Sequence, residues 1–282
     1  MEDLIRVAGL CKQFRDFSLQ NVALRVPRGS VVGFIGENGA GKSTTIKCIL
    51  GLVNPDGGAV EVFGKPVSAL TKTDRCGIGA VLGESCLPAN LDLKDVDSVM
   101  KRVFSRWDSA AFFGYADRFS LPRGKKIREF SRGMQQKTSL AVALSHGARL
   151  LVLDEPTSGL DPVARDEILD LLYDFMQDEG HSVLISSHIL SDLEKLCDYI
   201  AFIHGGRIVL EEEKDALTEK YGVLRCTEGE LSALDPAAVA AVRRGEYGVD
   251  ALVLRGRLPA GVSPARASVE DIMLYYSRGE HL

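Results

Sequence analysis

Nine consecutive residues constrain this chain more than any others: Gly36-Glu37-Asn38-Gly39-Ala40-Gly41-Lys42-Ser43-Thr44. They follow a β-branched apolar run, Val31–Ile35, and precede residues 45–52, which read as a helix. Strand, glycine-rich loop and helix N-terminus therefore come in order, and every fixed position of G-x-x-x-x-G-K-[ST] is filled. The residue types suit a polyphosphate. Glycines let backbone N–H groups approach without a Cβ in the way, and the helix end adds a favourable dipole. Lys42 would place a point charge near the β- and γ-phosphates, and the Ser43 hydroxyl can ligate Mg²⁺. The bland alternative, a glycine-rich turn before an ordinary helix, leaves the coincidence of Lys42 and Ser43 unexplained.

Around this loop the chain is ordinary for a globular protein of 282 residues, 45% apolar and 26% charged, long enough for one large or two modest domains. A formal charge of −5 argues against a dominant nucleic-acid footprint. Six cysteines are scattered without a C-x-x-C pair and are expected to be free thiols in a reducing compartment. Neither a secretory leader nor an apolar run of about 18 residues is visible, so any action on a membrane requires another chain to supply the span.

Short strands are expected at residues 4–10, 19–26, 59–63 and 76–82. Phe14, in the loop between the first two, suits stacking on a purine ring, although such an aromatic is more often core; Phe17 is a weaker candidate for that role. Residues 91–121 switch to helical spacing, with Trp107, Phe112 and Phe113 expected mainly in the core of an inserted helical lobe.

Phe130-Ser131-Arg132-Gly133-Met134-Gln135 opens a helix to about Ser145, with Ser131 as N-cap and Gly133 leaving the first turn open to a close-approaching group. The apolar run at residues 150–153 ends in Asp154-Glu155-Pro156. Carboxylates at the end of a buried strand are costly without a role. Asp154 is placed to bind Mg²⁺, directly or through water, and Glu155 to orient or deprotonate an attacking water. A loop through Ser158 and Asp161 leads to a helix with Pro162 at its first position. His188 directly follows another buried strand and reads as a γ-phosphate sensor, since ligands bind at the ends of parallel strands. The tail beyond residue 216 carries no chemical motif: it reads as strands at residues 223–226 and 251–254, a helix at 236–243 and a second helix at 268–277.

Taken together and in order, the phosphate loop, Ser131 to Gln135, Asp154-Glu155, Ser158 to Asp161 and His188 resemble the ATP-binding cassette ATPases over about residues 4–215. The Phe-Ser-Arg-Gly-Met form of the signature and the ending at residues 268–273 resemble ATPase subunits of ABC-2 type exporters, the bacitracin and lantibiotic group in particular. The resemblance implies an α/β P-loop NTPase fold with a mixed sheet, an N-terminal antiparallel β-subdomain, an inserted helical subdomain and a small C-terminal α+β extension. It divides the chain into an ATP-binding domain at residues 1–215, with the helical part at about 84–146, and an accessory region at 216–282.

By the same resemblance Phe14 is the adenine-stacking aromatic, and ATP with Mg²⁺ would be shared in a head-to-tail dimer, homodimer or heterodimer with a paralogous ATPase. Each phosphate loop would face Ser131, Gly133 and Gln135 of the other subunit, with Asp161 at the same junction. Glu155, His188 and Lys42 would carry hydrolysis, and Ser43 and Asp154 would hold the metal. The glutamine that usually reaches the metal has no match. Its position falls on Gly83, and the neighbouring Glu84 is the candidate substitute. Arg132 stands where many members have glycine, either adding charge near the γ-phosphate or turning to solvent. Expected partners are an integral membrane permease of ABC-2 type and no nucleic acid. The location implied is cytoplasmic, peripheral on the inner face of the cell membrane through that permease. Two alternatives stay open: a non-transport ATPase acting on ribosomes or DNA, and a nucleotide-gated regulatory module.

Overall fold

In the computed structural model, which describes residues 2–83, 87–245 and 248–280, the strands form three sheets. The first sheet is antiparallel and contains β1 (Asp3–Gln13), β2 (Ser18–Pro27), β4 (Gly57–Val62) and β5 (Lys65–Pro66), in the order β2-β1-β4-β5. The second contains β3 (Val31–Ile35), β6 (Ile78–Val81), β7 (Leu150–Asp154), β8 (Ser182–Ser187), β9 (Tyr199–His204) and β10 (Arg207–Glu213). Its order is β10-β9-β3-β8-β7-β6, parallel throughout except for the β9–β10 hairpin. The third is antiparallel: β11 (Tyr221–Cys226), β12 (Val239–Gly245), β13 (Gly248–Leu254) and β14 (Ala265–Arg266).

Central strands read as unbroken apolar runs because both faces are covered. On β3, Val31 and Ile35 join one buried cluster while Val32 and Phe34 join another, and β7 divides Leu151 and Leu153 from Leu150 and Val152 in the same way. The second cluster fills the space between this sheet, the first sheet and helix α1 (Lys42–Ile49); short α2 (Lys72–Cys76) then leads into β6, so that strand begins two residues later than the expected start at Cys76. The first cluster lies under the helices: α3 (Leu93–Val103), α4 (Ser109–Arg118), α5 (Arg132–Leu144), α6 (Pro162–Phe175) and α7 (Leu190–Leu196). Side-chain caps fix several of these helix starts, from Asp92, Asp108, Ser131 and Asp161. Phe112 is fully buried in that cluster, with Trp107 and Phe113 packed partly buried against it.

The tail adds α8 (Lys214–Lys220), α9 (Glu228–Ser232) and α10 (Val269–Arg278) to the third sheet. The expected helix at residues 236–243 is not there. Asp235 caps a single turn at Pro236–Ala238, and the chain continues as β12 alongside β13. A register irregularity between Val239 and Ala241 puts Val239 and Val242 into one buried cluster, three residues apart as on a helix, while Ala241 points into the main core. Alanine's helix preference is worth less than about 1 kcal/mol per residue, too little to outweigh a paired ladder. Ala241, Leu252, Val269, Ile272 and Tyr275 lie in the same cluster as β7 and β8, so one face of the tail is continuous with the main core.

The five cysteines among the described residues, Cys11, Cys48, Cys76, Cys197 and Cys226, are free thiols. Burial pushes the Cys48 and Cys197 thiols up, which disfavours their thiolates. Among the described residues, no helix is long and apolar enough to cross a membrane.

Candidate functional site

The C-terminal ends of β3, β7 and β8 lie side by side, which brings together segments far apart in the sequence. Beyond β3 the chain wraps into the loop at 36–41. Gly39 and Gly41 take left-handed backbone angles (φ 84° and 113°) that side chains rarely tolerate. A Cβ on Gly36 would lie 2.4 Å from the Ile203 carbonyl oxygen, so only glycine fits there. Helix α1 then starts without a side-chain cap, leaving its first N–H groups to a ligand. A cavity of about 320 Å³ opens here, lined by Phe17, Glu37, Asn38, Gly39, Gly41, Lys42, Ser43, Thr44 and Glu155. Ala40, buried at the base of the loop, accepts a backbone hydrogen bond from Gly206 (3.2 Å).

Lys42 is 5% exposed, and its ammonium donates to the carbonyl oxygens of Gly36 (2.6 Å) and Glu37 (3.2 Å). From β7, Glu155 reaches the same point. Its Oε1 accepts no hydrogen bond and lies 3.4 Å from Lys42 Nζ, while His188 Nδ1 sits 2.6 Å from Oε2. Glu155 holds a left-handed φ of 52°, a conformation uncommon outside glycine and usually kept where function demands it. Two bonds stabilise it: its N–H donates to the Ser186 carbonyl (3.1 Å) and to Ser186 Oγ (3.0 Å). The Ser186 hydroxyl in turn donates to Asp154 Oδ1 at 2.6 Å. Sequence reading treated Ser186 only as strand. The signal was a serine closing an apolar run, buried opposite Asp154 in the parallel register.

Phe17, not Phe14, lines the cavity wall. Phe14 is 42% exposed and stacks on Phe17 with ring centroids 6.5 Å apart, one ring further out. Ser131 caps α5 by accepting from the Met134 N–H (3.3 Å) and is exposed, as is Arg132, which turns outward near Gly159. A Cβ on Gly133 would come 2.9 Å from Leu160 Cδ2, so a larger residue there would displace the end of the Leu160 side chain. The Gln135 amide donates to the carbonyl oxygens of Ile127 and Phe130 (both 3.2 Å), securing the approach to α5. Its neighbour Gln136, buried, donates to the Glu155 carbonyl (3.4 Å), a link between α5 and the segment after β7 that sequence reading missed. Asp161 caps α6, and the Ala164 N–H holds its carboxyl below the usual carboxylate range. Glu84 lies outside the described residues.

No group of three or more His, Cys, Asp or Glu side chains able to hold a metal occurs among the described residues. The oxygen donors at hand, Ser43 at the first turn of α1 and Asp154 at the end of β7, suit a hard cation that takes its remaining ligands from phosphate and water, as Mg²⁺ does. A cavity with a buried lysine, glycine-exposed backbone donors and an adjacent carboxylate–histidine pair can hold a polyphosphate and set a water beside its terminal group.

Comparison with known proteins agrees with this geometry. The sequence model described as "ABC transporter" matches residues 19–158. The lantibiotic transport ATP-binding protein SrtF of Streptococcus pyogenes is 36% identical over 215 residues, covering 75% of this chain and 92% of that protein. The bacitracin transport ATP-binding protein BcrA of Bacillus licheniformis is 33% identical over 223 residues, covering 78% and 73%. A solved ATP-binding subunit of an ABC transporter superposes with a TM-score of 0.68 at 29% identity, covering 76% of this chain and 91% of that one.

Proposed function

This chain belongs to the ABC transporter family of ATPases, and from that premise we propose that it hydrolyses ATP to drive export through a separate membrane permease. The observation that carries the reading is the chain of contacts from three separate segments: Lys42 and Glu155, 3.4 Å apart, line one cavity of about 320 Å³, and His188 backs Glu155 at 2.6 Å. In this reading the loop at 36–44 binds the phosphates and Lys42 exchanges its carbonyl contacts for β- and γ-oxygens. Glu155 takes a proton from the attacking water, and His188 holds Glu155 and senses the γ-phosphate. Ser43 and Asp154 would hold Mg²⁺, which neutralises the developing phosphate charge. Residues 1–215 are the ATP-binding domain and residues 216–282 an accessory region seated on it.

The exposed start of α5 gives the second half of the site. Ser131 is exposed and is not among the residues that line this chain's own phosphate cavity; in this reading the start of α5 offers an anion site to another subunit, so ATP would join two copies or a copy and a paralogue. Hydrolysis would remove the shared phosphate and let the subunits part, a stroke that a permease can use. An apolar groove of about 320 Å³ lined by Leu50, Leu52, Ile78, Ala80 and Leu82 is the surface on which a permease of ABC-2 type would dock, holding this subunit at the inner face of the membrane. The cargo is of the kind that SrtF and BcrA are named for, an antimicrobial peptide or drug. Action on ribosomes or DNA finds no support in a chain of charge −5, and a purely regulatory module has no use for an intact Glu155–His188 pair.

Phosphate release by the purified chain, compared with Glu155→Gln, tests the reading. A positioned base contributes about 10²- to 10⁴-fold, so the variant should keep ATP binding and lose turnover on that scale. Unchanged turnover would remove Glu155 from the mechanism.

A further inference from the structure

Asp192 is a carboxylate that touches no reacting group, yet the chain buries it to 3% exposure. It lies in the first turn of α7, the helix that starts two residues after His188. Its Oδ2 accepts from Thr157 Oγ1 at 2.9 Å, and Thr157, itself 1% exposed, stands two residues after Glu155. The same oxygen faces Arg165 of α6 at 3.7 Å, whose buried Nε has no hydrogen-bond partner. Arg165 also reaches the Leu160 carbonyl (3.4 Å). Thr157 accepts from the Leu160 N–H, so one carboxylate gathers both ends of the loop from Glu155 to Asp161 onto the helix behind His188.

Stability alone does not ask for this arrangement. A buried ion pair is often matched or bettered by apolar residues of similar volume, because desolvation offsets the attraction. What a Thr157–Asp192–Arg165 cluster adds is a fixed register between two segments. The far end of α7 is already held by the tail, where Lys214 donates to the Glu194 carbonyl (2.8 Å) and the Val269 N–H donates to the Glu194 carboxylate (3.0 Å). The end nearest His188 is tied to the Glu155 loop through Asp192. His188, by contrast, is largely exposed and meets its own chain through the Glu155 carboxylate.

We propose that Asp192 is a positioning residue: through Thr157 it locks α7 to the loop after Glu155, keeping His188 and Glu155 in register and passing movement at one to the other. This rests on the reading of Glu155 and His188 as the hydrolytic pair. A misplacement of about 1 Å at a reacting group can cost on the order of 10²-fold.

Steady-state phosphate release and ATP titration test it. Asp192→Ala should lower kcat by about 10- to 100-fold while leaving KM for ATP near the wild-type value. Thr157→Val, which removes only the hydroxyl, should show the same split, and Asp192→Asn, which keeps an acceptor for that hydroxyl, should recover most of the rate. Asp192→Ala with Thr157→Val should be no slower than the slower single variant, because both break one contact. A folded Asp192→Ala with wild-type kcat, a parallel loss of kcat and ATP affinity, or additive effects would each overturn the link. Should Asp192→Ala not fold, Thr157→Val decides the same question. His188→Ala separates the two layers: full turnover in that variant removes the site assignment and the link with it, whereas lost turnover there with unchanged kcat in Thr157→Val removes the link alone.

Discussion

Two helix starts in this chain are proposed to meet nucleotide, at Lys42 on α1 and at Ser131 on α5, and their surroundings differ. Lys42 is buried, bonded to the carbonyls of its own loop, and within 3.4 Å of Glu155, while α1 has no capping side chain. Ser131 is exposed and caps its own helix, so α5 is complete in the isolated chain. An uncapped helix start closed in by a lysine and a carboxylate needs a ligand to satisfy it; a capped one on the surface can accept a ligand brought by something else. In the proposed reading the first is a binding site within one subunit, and the second would become one when another subunit carries nucleotide to it.

Removing the buried charge should have the largest effect on that contrast. Lys42→Ala is expected to weaken ATP binding about 10- to 100-fold by calorimetry, since a charged hydrogen bond contributes ~1.5 to 3 kcal/mol. Equal affinity would place the phosphates elsewhere. Blocking the exposed start should leave that affinity alone. In a Glu155→Gln background, Ser131→Arg is expected to bind ATP normally as a single subunit and to lose ATP-dependent dimerisation by about tenfold or more in sedimentation. Dimers at the unblocked concentration would end the two-subunit reading of α5.

The support beneath the buried start comes next. Ser186→Ala deprives Asp154 of its hydroxyl donor and Glu155 of one acceptor, a loss expected to cost about 1 to 3 kcal/mol in denaturant melts and to slow phosphate release. An unchanged melt and rate would make that network incidental. Smallest of all, Ser131→Ala should cost only about 0.5 to 2 kcal/mol of stability through the lost cap, with single-subunit ATP binding unaffected. A fall in ATP affinity of the isolated subunit would show that α5 already touches its own nucleotide.

Much of this was legible residue by residue. The strand at Val31–Ile35 emerges with the predicted bounds, Ser131 caps α5 as expected, and α6 begins at Pro162 where the sequence placed its first position. These signals are local, carried by consecutive residues whose backbone geometry depends on few others. The tail shows where such reading stops. Val239 and Val242 share a cluster at helical spacing because of a register irregularity in β12, and nothing short of the pairing with β13 reveals it. Likewise Phe14 and Phe17 both suited the aromatic wall, and only the loop's course puts Phe17 in the cavity.

By itself the sequence determined the family and the residues proposed for its chemistry, because glycines at 36, 39 and 41, Lys42, the Asp154-Glu155 pair and His188 are residue types that few other roles require in that order. Tertiary structure alone decided the connections: Ser186 under Asp154, Gln136 on the Glu155 carbonyl, Asp192 between Thr157 and Arg165. The reason is physical. Motif residues answer to the ligand and leave a pattern along the chain, whereas the groups that hold them answer to neighbours brought close by the parallel sheet, up to 35 positions away as for Thr157 and Asp192.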